Sequence, residues 1–338
     1  MSDDVSPAIS IVIAVHNAAP MLDECLDSLS KSSLKPLECL VVDDGSTDDA
    51  AAVAERHGVR VIVLPRRRGP AGARNAGARQ AKGSVVLFLD ADVRVHADAI
   101  ARIAEHFRRE PSLDAVIGAY DDSPAARPFV SQYRNLLHCS THRQGHPEAS
   151  TFWSACGALR RETFLRHAGF DERFDRPAIE DIELGSRLKA GGARILLDPA
   201  VQVQHLKCWT FLNMIETDIF HRGIPWTRLI LSSGSMPNDL NVRWSQRVST
   251  VLAFVLGGAL VLGARYTALA SVLALIRLNW PFYSLVSRRQ GPWFALRAAP
   301  LHFLFHFYCG LAFLLGGTMH LFSRTPSAAS EIPDQQIS

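Results

Sequence analysis

Short apolar runs alternate with amphipathic segments through the first part of the chain, and long uncharged runs dominate the rest. Ile9 to Val15 is continuous and largely β-branched, the pattern of a strand buried on both faces. Leu22, Cys25, Leu26 and Leu29 then recur at helical spacing. Leu37 to Val42 predicts a second strand, with a helix from about Asp48. Val59 to Leu64 predicts a third strand, followed by a helix over Gly72 to Lys82. Val85 to Leu89 predicts a fourth, then a helix near Ala97 to Arg109 and a strand near Ala115 to Tyr120. Strand–helix alternation at these lengths predicts an α/β fold with a doubly wound, mostly parallel sheet.

The later runs change the picture. Val248 to Ala264 carries no charge, Tyr266 to Ile276 carries none and continues apolar past Arg277 to Val286, and Ala298 to Ser323 is again uncharged. A bilayer core takes about 20 apolar residues per helix. The pattern predicts two to three transmembrane helices, the first two forming a hairpin that turns near Gly263, Ala264 and Arg265. Arg243 and Arg247 precede the first run, and Arg288, Arg289 and Arg297 separate the second from the third. Positive loops stay cytoplasmic, so the N-terminal part is expected in the cytoplasm of a multi-pass protein of the cell membrane. With three crossings, residues 290 and 330 fall on opposite sides. The opening MSDDVSPAIS has neither a basic flank nor a long apolar run, so no signal peptide is expected. Between the two regions, Phe211, Leu212, Ile215, Ile219, Phe220, Ile224, Trp226 and Ile230 lie among Lys207, Arg222 and Arg228. This reads either as helices lying on a membrane surface or as ordinary packing against the N-terminal domain.

Composition narrows the function classes. The 338 residues are 48% hydrophobic and 20% charged, enough for a core and too apolar for a disordered chain. The net charge is +3, and no basic stripe exceeds Arg66 to Arg68, so no nucleic-acid partner is expected. Six scattered cysteines without a CxxC pair exclude a disulfide scaffold or zinc knuckle.

In doubly wound sheets ligands bind at the carboxyl ends of strands. The polar clusters fall there: His16 and Asn17, Asp43 and Asp44, and Asp90 with Asp92. A dinucleotide site would need GxGxxG after the first strand, where VHNAAP stands instead, and GPAGARNAG lacks the lysine of a P-loop. Asp90 and Asp92, one residue apart after VVLFL, are hard oxygen ligands suited to Mg²⁺ or Mn²⁺ alongside phosphate. Asp43 and Asp44 either form a turn before Gly45 or accept bonds from a base or ribose. Arg74 and Asn75, in a glycine-rich helix start, suit a diphosphate.

The segments VIAVHNAAPMLDECLDSL, VVDDGSTDD, GPAGARNAG, VVLFLDAD and GFDERF with IEDIELGSRLKAGG resemble the family 2 glycosyltransferases of GT-A fold over about residues 8 to 205. The resemblance implies inverting transfer of a sugar from a nucleotide-diphosphate donor. By position, Val15, Asn17 and Asp44 resemble nucleoside contacts, Arg74 the donor-binding arginine, and Asp90 and Asp92 the ribose and metal carboxylates. Glu180-Asp181 resembles the family's ED pair, with Asp181 as general base and Glu180 on the substrate side. Gly157 within WSACGALRRE resembles the acceptor-side loop, with Ala158-Leu159 departing from the usual residues. His205, at the end of AVQVQH, stands where related folds place a third metal ligand. His205-Leu206-Lys207-Cys208-Trp209 lacks the glutamine and arginine of the QxxRW motif of processive synthases, which argues against a polymer synthase; Lys207 remains a diphosphate contact. His302 and His306, one turn apart, read as polar residues at a helix interface.

The resulting organisation is a GT-A domain over residues 1–206, interfacial helices and a linker over 207–247, a transmembrane region over 248–323 and a disordered tail over 324–338. The expected activity is metal-dependent transfer from a nucleotide sugar to a lipid or polyprenyl-linked acceptor at the cytoplasmic membrane face. The alternatives are a nucleotidyltransferase, which would need a glycine-rich, lysine-bearing first loop, and an inactive scaffold.

Overall fold

Five strands form where the apolar runs predict them, near residues 9, 38, 60, 85 and 115. In the computed structural model, which describes residues 7–322, eight strands make one sheet. They are β1 (Ile9–Val15), β2 (Glu38–Asp43), β3 (Arg60–Val63), β4 (Val85–Asp90), β5 (Val93–Val95), β6 (Ala115–Tyr120), β7 (Cys156–Arg160) and β8 (Ile195–His205), in the order β3-β2-β1-β4-β7-β6-β8-β5. The β3-β2-β1-β4 half is parallel, as is the β6–β8 pair; β7 runs antiparallel to both β4 and β6, and β5 to β8. The expected parallel sheet is therefore correct for the first half and mixed beyond β4.

The helices before the apolar region are α1 (Ala19–Ser30), α2 (Ala50–Arg56), α3 (Gly69–Gln80), α4 (Ala99–Arg109), α5 (Phe129–Arg143), α6 (Arg161–Arg166) and α7 (Glu180–Ala190). Alternate strand residues feed two cores. Ile11, Ile13, Leu87 and Leu89 pack with Leu22 and Leu26 of α1 and Ile100, Ile103 and Phe107 of α4. Val12, Leu40, Val42 and Phe88 pack on the other face with Ala73 and Ala76 of α3 and Leu184 and Leu188 of α7.

Beyond β8 come α8 (Phe211–Glu216), a π-helical stretch (Thr217–Gly223), α9 (Ile224–Ser233), a 3₁₀ turn (Leu240–Val242), then α10 (Trp244–Val261), α11 (Arg265–Leu278), α12 (Trp280–Gln290) and α13 (Pro292–Phe322). The α10–α11 hairpin turns at Gly263, where φ is +69°, as the sequence predicts. Helices α10 and α13 are long and apolar enough to cross a membrane. The second apolar run differs from expectation: it bends by 71° between α11 and α12. Helix α12 then docks on the α/β domain, with Leu285 in the core beside Cys139 and Arg289 paired to Asp122 at 2.6 Å. The tail over 324–338 lies outside the described residues.

A buried ion pair ties these layers together. Arg134 of α5 donates to Asp218 of the π-helical stretch, both nearly inaccessible, and the Tyr308 hydroxyl of α13 donates to the other Asp218 oxygen at 2.7 Å. Removing one partner of a buried pair costs about 3–5 kcal/mol, whereas replacing both with apolar groups can be neutral. Arg134→Met is therefore expected to lower stability by about that amount, and Arg134→Met with Asp218→Leu to recover most of it. Thermal midpoints of the two purified variants in detergent check this; equal midpoints for the single variant and the wild type would refute it.

Candidate functional site

Parallel register assembles the site. Val15 lies beside Asp43 and Ala14 beside Asp90, so β2, β1 and β4 end level and present their polar followers on one rim. A cavity of about 480 Å³ opens there. Val15, Asn17, Asp44, Arg74, Asp90, Asp92, Glu180, Asp181, His205 and Lys207 all line it, whereas Asp43 accepts from the Ser46 amide in the turn and Asn75 donates to Phe170 and Glu172 outside the cavity.

On the nucleoside side the polar groups brace one another. Asn17 sits at φ +51°, a left-handed conformation that asparagine tolerates. Its Oδ1 accepts from the Thr47 amide at 2.7 Å, joining the loop after β1 to the loop after β2. The Asp44 amide donates to the Val15 carbonyl at 2.9 Å, and Asp44 Oδ1 accepts from the Arg68 amide at 2.6 Å. Burial raises the Asp44 carboxyl above its ordinary value, against the lowering by the Arg68 and Gly69 amides.

Arg74 is a clasp. Its Nη2 donates to Asp90 Oδ1 at 2.7 Å and its Nη1 to Glu180 Oε1 at 2.9 Å. Burial opposes its charge, but the two carboxylates outweigh this and raise its pKa. The guanidinium thus joins α3, β4 and the start of α7 rather than pointing freely at the cavity.

Asp92 faces His205 instead, with Oδ2 3.4 Å from Nε2. His205 Nδ1 lies 2.6 Å from Asn135 Oδ1. An amide oxygen only accepts, so Nδ1 carries the proton and Nε2 turns a lone pair, or a second proton, toward Asp92. Burial would raise Asp92, yet His205 and Lys207 together hold it below the usual carboxylate range. A lone pair and a carboxylate at this spacing, with the imidazole oriented from behind by Asn135, fit a hard divalent cation. Among the described residues no three His, Cys, Asp or Glu side chains gather as a metal cluster. Two protein ligands, with substrate phosphates and water completing the shell, is the pattern Mg²⁺ favours. Asp90 is engaged by Arg74, which leaves Asp92 and His205 as the pair that could hold a cation.

Asp181 opens α7. Its Oδ2 accepts from the Ser154 amide and hydroxyl at 3.3 and 3.4 Å, and its Oδ1 from the Ile182 amide at 2.8 Å. Burial and then the adjacent Glu180 push its carboxyl up to about 6, against Arg74. Gly185 permits this placement: a Cβ there would lie 2.1 Å from the Phe152 nitrogen, so only glycine lets α7 rest on the 151–154 loop. Gly157 of β7 is equally close to the Trp153 carbonyl, at 2.3 Å from a would-be Cβ.

The far wall was not legible in the sequence. His138, Thr141 and His142 of α5, Thr217, Arg222 and Trp226 of the π-helix and α9, and Leu240 and Asn241 complete the lining. Burial holds His138 well below its ordinary value, so it is neutral and accepts from Arg222 Nη1 at 3.2 Å. Burial lowers Lys207 as well; its ammonium lies 4.0 Å over the Trp209 ring. Neither Lys207 nor Arg222 forms an ion pair among the described residues. The available signal for Arg222 was a cation inside an apolar helical segment, which reads equally as a solvated face.

A mixed sheet with carboxylates gathered at its parallel strand ends is the arrangement of the GT-A fold. Residues 10–167 match the family described as Glycosyl transferase family 2, so this part of the chain is a family 2 glycosyltransferase domain. Over 234 residues, 67% of its length, the chain is 25% identical to the poly-beta-1,6-N-acetyl-D-glucosamine synthase of Staphylococcus aureus (strain COL), and it covers 55% of that protein. It is 32% identical over 129 residues to the glycosyltransferase EpsJ of Bacillus subtilis (strain 168), 37% of each chain. The chain thus spans about half or less of the curated relatives it matches. The structure of the mannosyltransferase PcManGT from Pyrobaculum calidifontis, in complex with GDP-Man and Mn²⁺, aligns over 95% of this chain and 89% of its own with a TM-score of 0.52 and 19% identity. GalNAc-T7 with UDP, GalNAc and Mn²⁺ aligns over 73% of this chain and 51% of its own, with a TM-score of 0.51 and 18% identity. These two likenesses show the fold.

Proposed function

We propose that the protein is an inverting glycosyltransferase that moves a sugar from a nucleotide-diphosphate donor to a lipid or lipid-linked acceptor at the cytoplasmic membrane surface. The observation that carries the reading is the cavity itself: strand-end carboxylates form one wall, and helices leading into the apolar C-terminal region form the other.

In this reading the loops after β1 and β2 seat the nucleoside against Val15, Asn17 and Asp44. Asp92 and His205 would hold Mg²⁺ or Mn²⁺, which when bound supplies charge neutralisation for a leaving diphosphate. Among the described residues Lys207 and Arg222 have no carboxylate partner, and they are placed to meet phosphate oxygens from the opposite wall, with Arg67 a third such cation in the lining. Asp181 has an elevated pKa and a position at the cavity wall, which suit a group that accepts the acceptor hydroxyl proton. Arg74 holds Asp90 and Glu180 in place beside Asp181. The relatives support the donor side of this reading: the solved neighbours hold GDP-Man, or UDP and GalNAc, with Mn²⁺, while the synthase named above, a polymer synthase by its name, supports glycosyl transfer and not the lipid acceptor.

The test is a screen of the purified full-length protein against a panel of nucleotide sugars, with membrane lipid extract as acceptor and Mn²⁺ or Mg²⁺ present. The expected result is a sugar-bearing, organic-soluble product formed with one donor. Sugar found only as soluble oligosaccharide or free sugar, with no lipid product from any donor, would overturn the lipid acceptor.

A further inference from the structure

Helix α13 is the longest and most apolar helix of the described chain, and by length alone it would cross a bilayer. Its neighbours say otherwise. At its start Phe294 packs tilted against Phe129 of α5 at 4.7 Å between ring centroids, and Arg297 lies 4.5 Å over the Phe129 ring. Further on, His302 meets Tyr133 and Phe305 lies near Arg134, both on α5. Tyr308 then bonds to Asp218. A Cβ on Gly223 would lie 2.6 Å from the Ala312 methyl, and one on Gly316 only 2.7 Å from Thr227. The contacts 308 to 218, 312 to 223 and 316 to 227 advance together, so α13 runs side by side and parallel with the π-helical stretch and α9.

From Phe294 to Gly316 the helix covers about 33 Å at 1.5 Å per residue. The hydrocarbon core of a bilayer is about 30 Å thick. A spanning α13 would carry its companion helices through that core, and with them Asp218, His221, Arg222 and Arg228. It would also carry Arg222 and Trp226, which line the catalytic cavity. Charged groups at bilayer depth are costly, and a cavity opening there could not receive a water-soluble nucleotide.

We infer that α13 lies in the plane of the membrane surface, as one of two parallel helices under the catalytic cavity, and that its partner is one leaflet of a lipid bilayer. The apolar residues left uncovered fit this partner. Trp293 and Leu296 near the start of α13, Leu314, Met319, Leu321 and Phe322 near its end, and Phe211, Leu212 and Phe220 of the companion helices are exposed. The centre of α13 is covered instead, by α10: Phe254 stacks on Phe307 at 4.7 Å and packs against Gly310. These contacts are local, as expected for a crossing helix.

The α10–α11 hairpin is the element left to enter the bilayer. Its two limbs return to one base, where Asn279 Nδ2 donates to Ser249 Oγ at 2.9 Å. Whatever depth the hairpin reaches, the chain comes back to the side it left. Helix α12 then stays docked on the catalytic domain, and Gln290 donates to Gln132 at 2.8 Å. The C-terminal end of α13 therefore lies on the same side as the catalytic domain. This replaces the expectation that residues 290 and 330 face opposite sides.

The experiment places an epitope tag before Met1 and another after Ser338 of the full-length chain. Protease accessibility of both tags is then read in sealed vesicles of defined orientation. The in-plane helix gives cleavage of both tags in the same vesicle preparation and protection of both in the inverted one. Cleavage of one tag with protection of the other would overturn the inference. Leu311→Arg separates the two geometries independently, because Leu311 is exposed near the centre of the uncharged run. An in-plane helix lets the guanidinium reach the headgroups, so the variant accumulates in the membrane with both tags still on one side. Loss of the variant from the membrane fraction, or tags on opposite sides, would count against it.

Discussion

Asp181→Asn is expected to lower kcat by about 10²- to 10⁴-fold while leaving donor affinity and folding intact. The asparagine keeps the side-chain shape and can still accept from the Ser154 or Ile182 amide, but it takes no proton at neutral pH. A group that acts in the transition state lowers kcat and kcat/KM together when it is lost, whereas a uniform binding contact raises KM. The pH dependence follows from the raised pKa of about 6. The carboxylate is the active form, so wild-type activity should fall as pH drops through about 6. The stability effect has the opposite sense. A carboxyl whose pKa is higher folded than unfolded favours folding only below its unfolded value of about 3.9, and that contribution is lost as pH rises toward 6. At pH 7 to 8 the charged Asp181 is a liability to the fold, so the asparagine variant should melt no lower than the wild type. Steady-state kinetics over pH 5 to 8, beside thermal midpoints, decide the matter. A mild loss of rate in a stable variant would reject the base role and point to an acceptor phosphate, which is already ionised.

Asp92→Ala is expected to abolish transfer, and excess EDTA to do the same to the wild type. Cation stabilisation of a developing diphosphate is worth several kcal/mol, and each 1.36 kcal/mol is about tenfold in rate, so about 10²- to 10³-fold is a lower bound. A readout apart from activity comes from ligand linkage: what binds only the folded state raises its midpoint. A nucleoside diphosphate with Mn²⁺ should raise the wild-type midpoint more than the nucleotide alone, and that increment should vanish in Asp92→Ala. Undiminished activity in excess chelator would reject metal dependence altogether.

How much of this was readable beforehand differs by region for physical reasons. Strands β1, β2 and β4 are buried on both faces, so their β-branched runs announce them with little error, and their carboxyl ends locate the site. β7 was obscured, whereas the second half of β8 stood out as the strand-like AVQVQH. Cys156 to Arg160 is short and mixed, its pairing with β4 depends on Gly157 packing against Trp153, and no periodicity encodes that. Helix α5 has an apolar face too ragged to stand out, because Arg134, Asn135 and His142 are buried among the apolar positions. His138 and Arg222 were missed for a related reason: their role depends on which elements meet across a cavity. The apolar C-terminal runs revealed their lengths but not their directions, since hydropathy does not tell a helix covered by lipid from one covered by protein.

The Arg74 clasp has a consequence for how such a sequence can drift. One guanidinium satisfies carboxylates at positions 90 and 180, which belong to different segments of the chain. Change the arginine and the buried Glu180 faces the part-buried Asp90 with no cation between them; change either acid and a buried cation keeps only half its neutralisation. Lysine is no intermediate, since its single ammonium lacks the fork that reaches both partners. Positions 74, 90 and 180 are therefore expected to change only together, which leaves the loops around this triad as the places where substitution costs least.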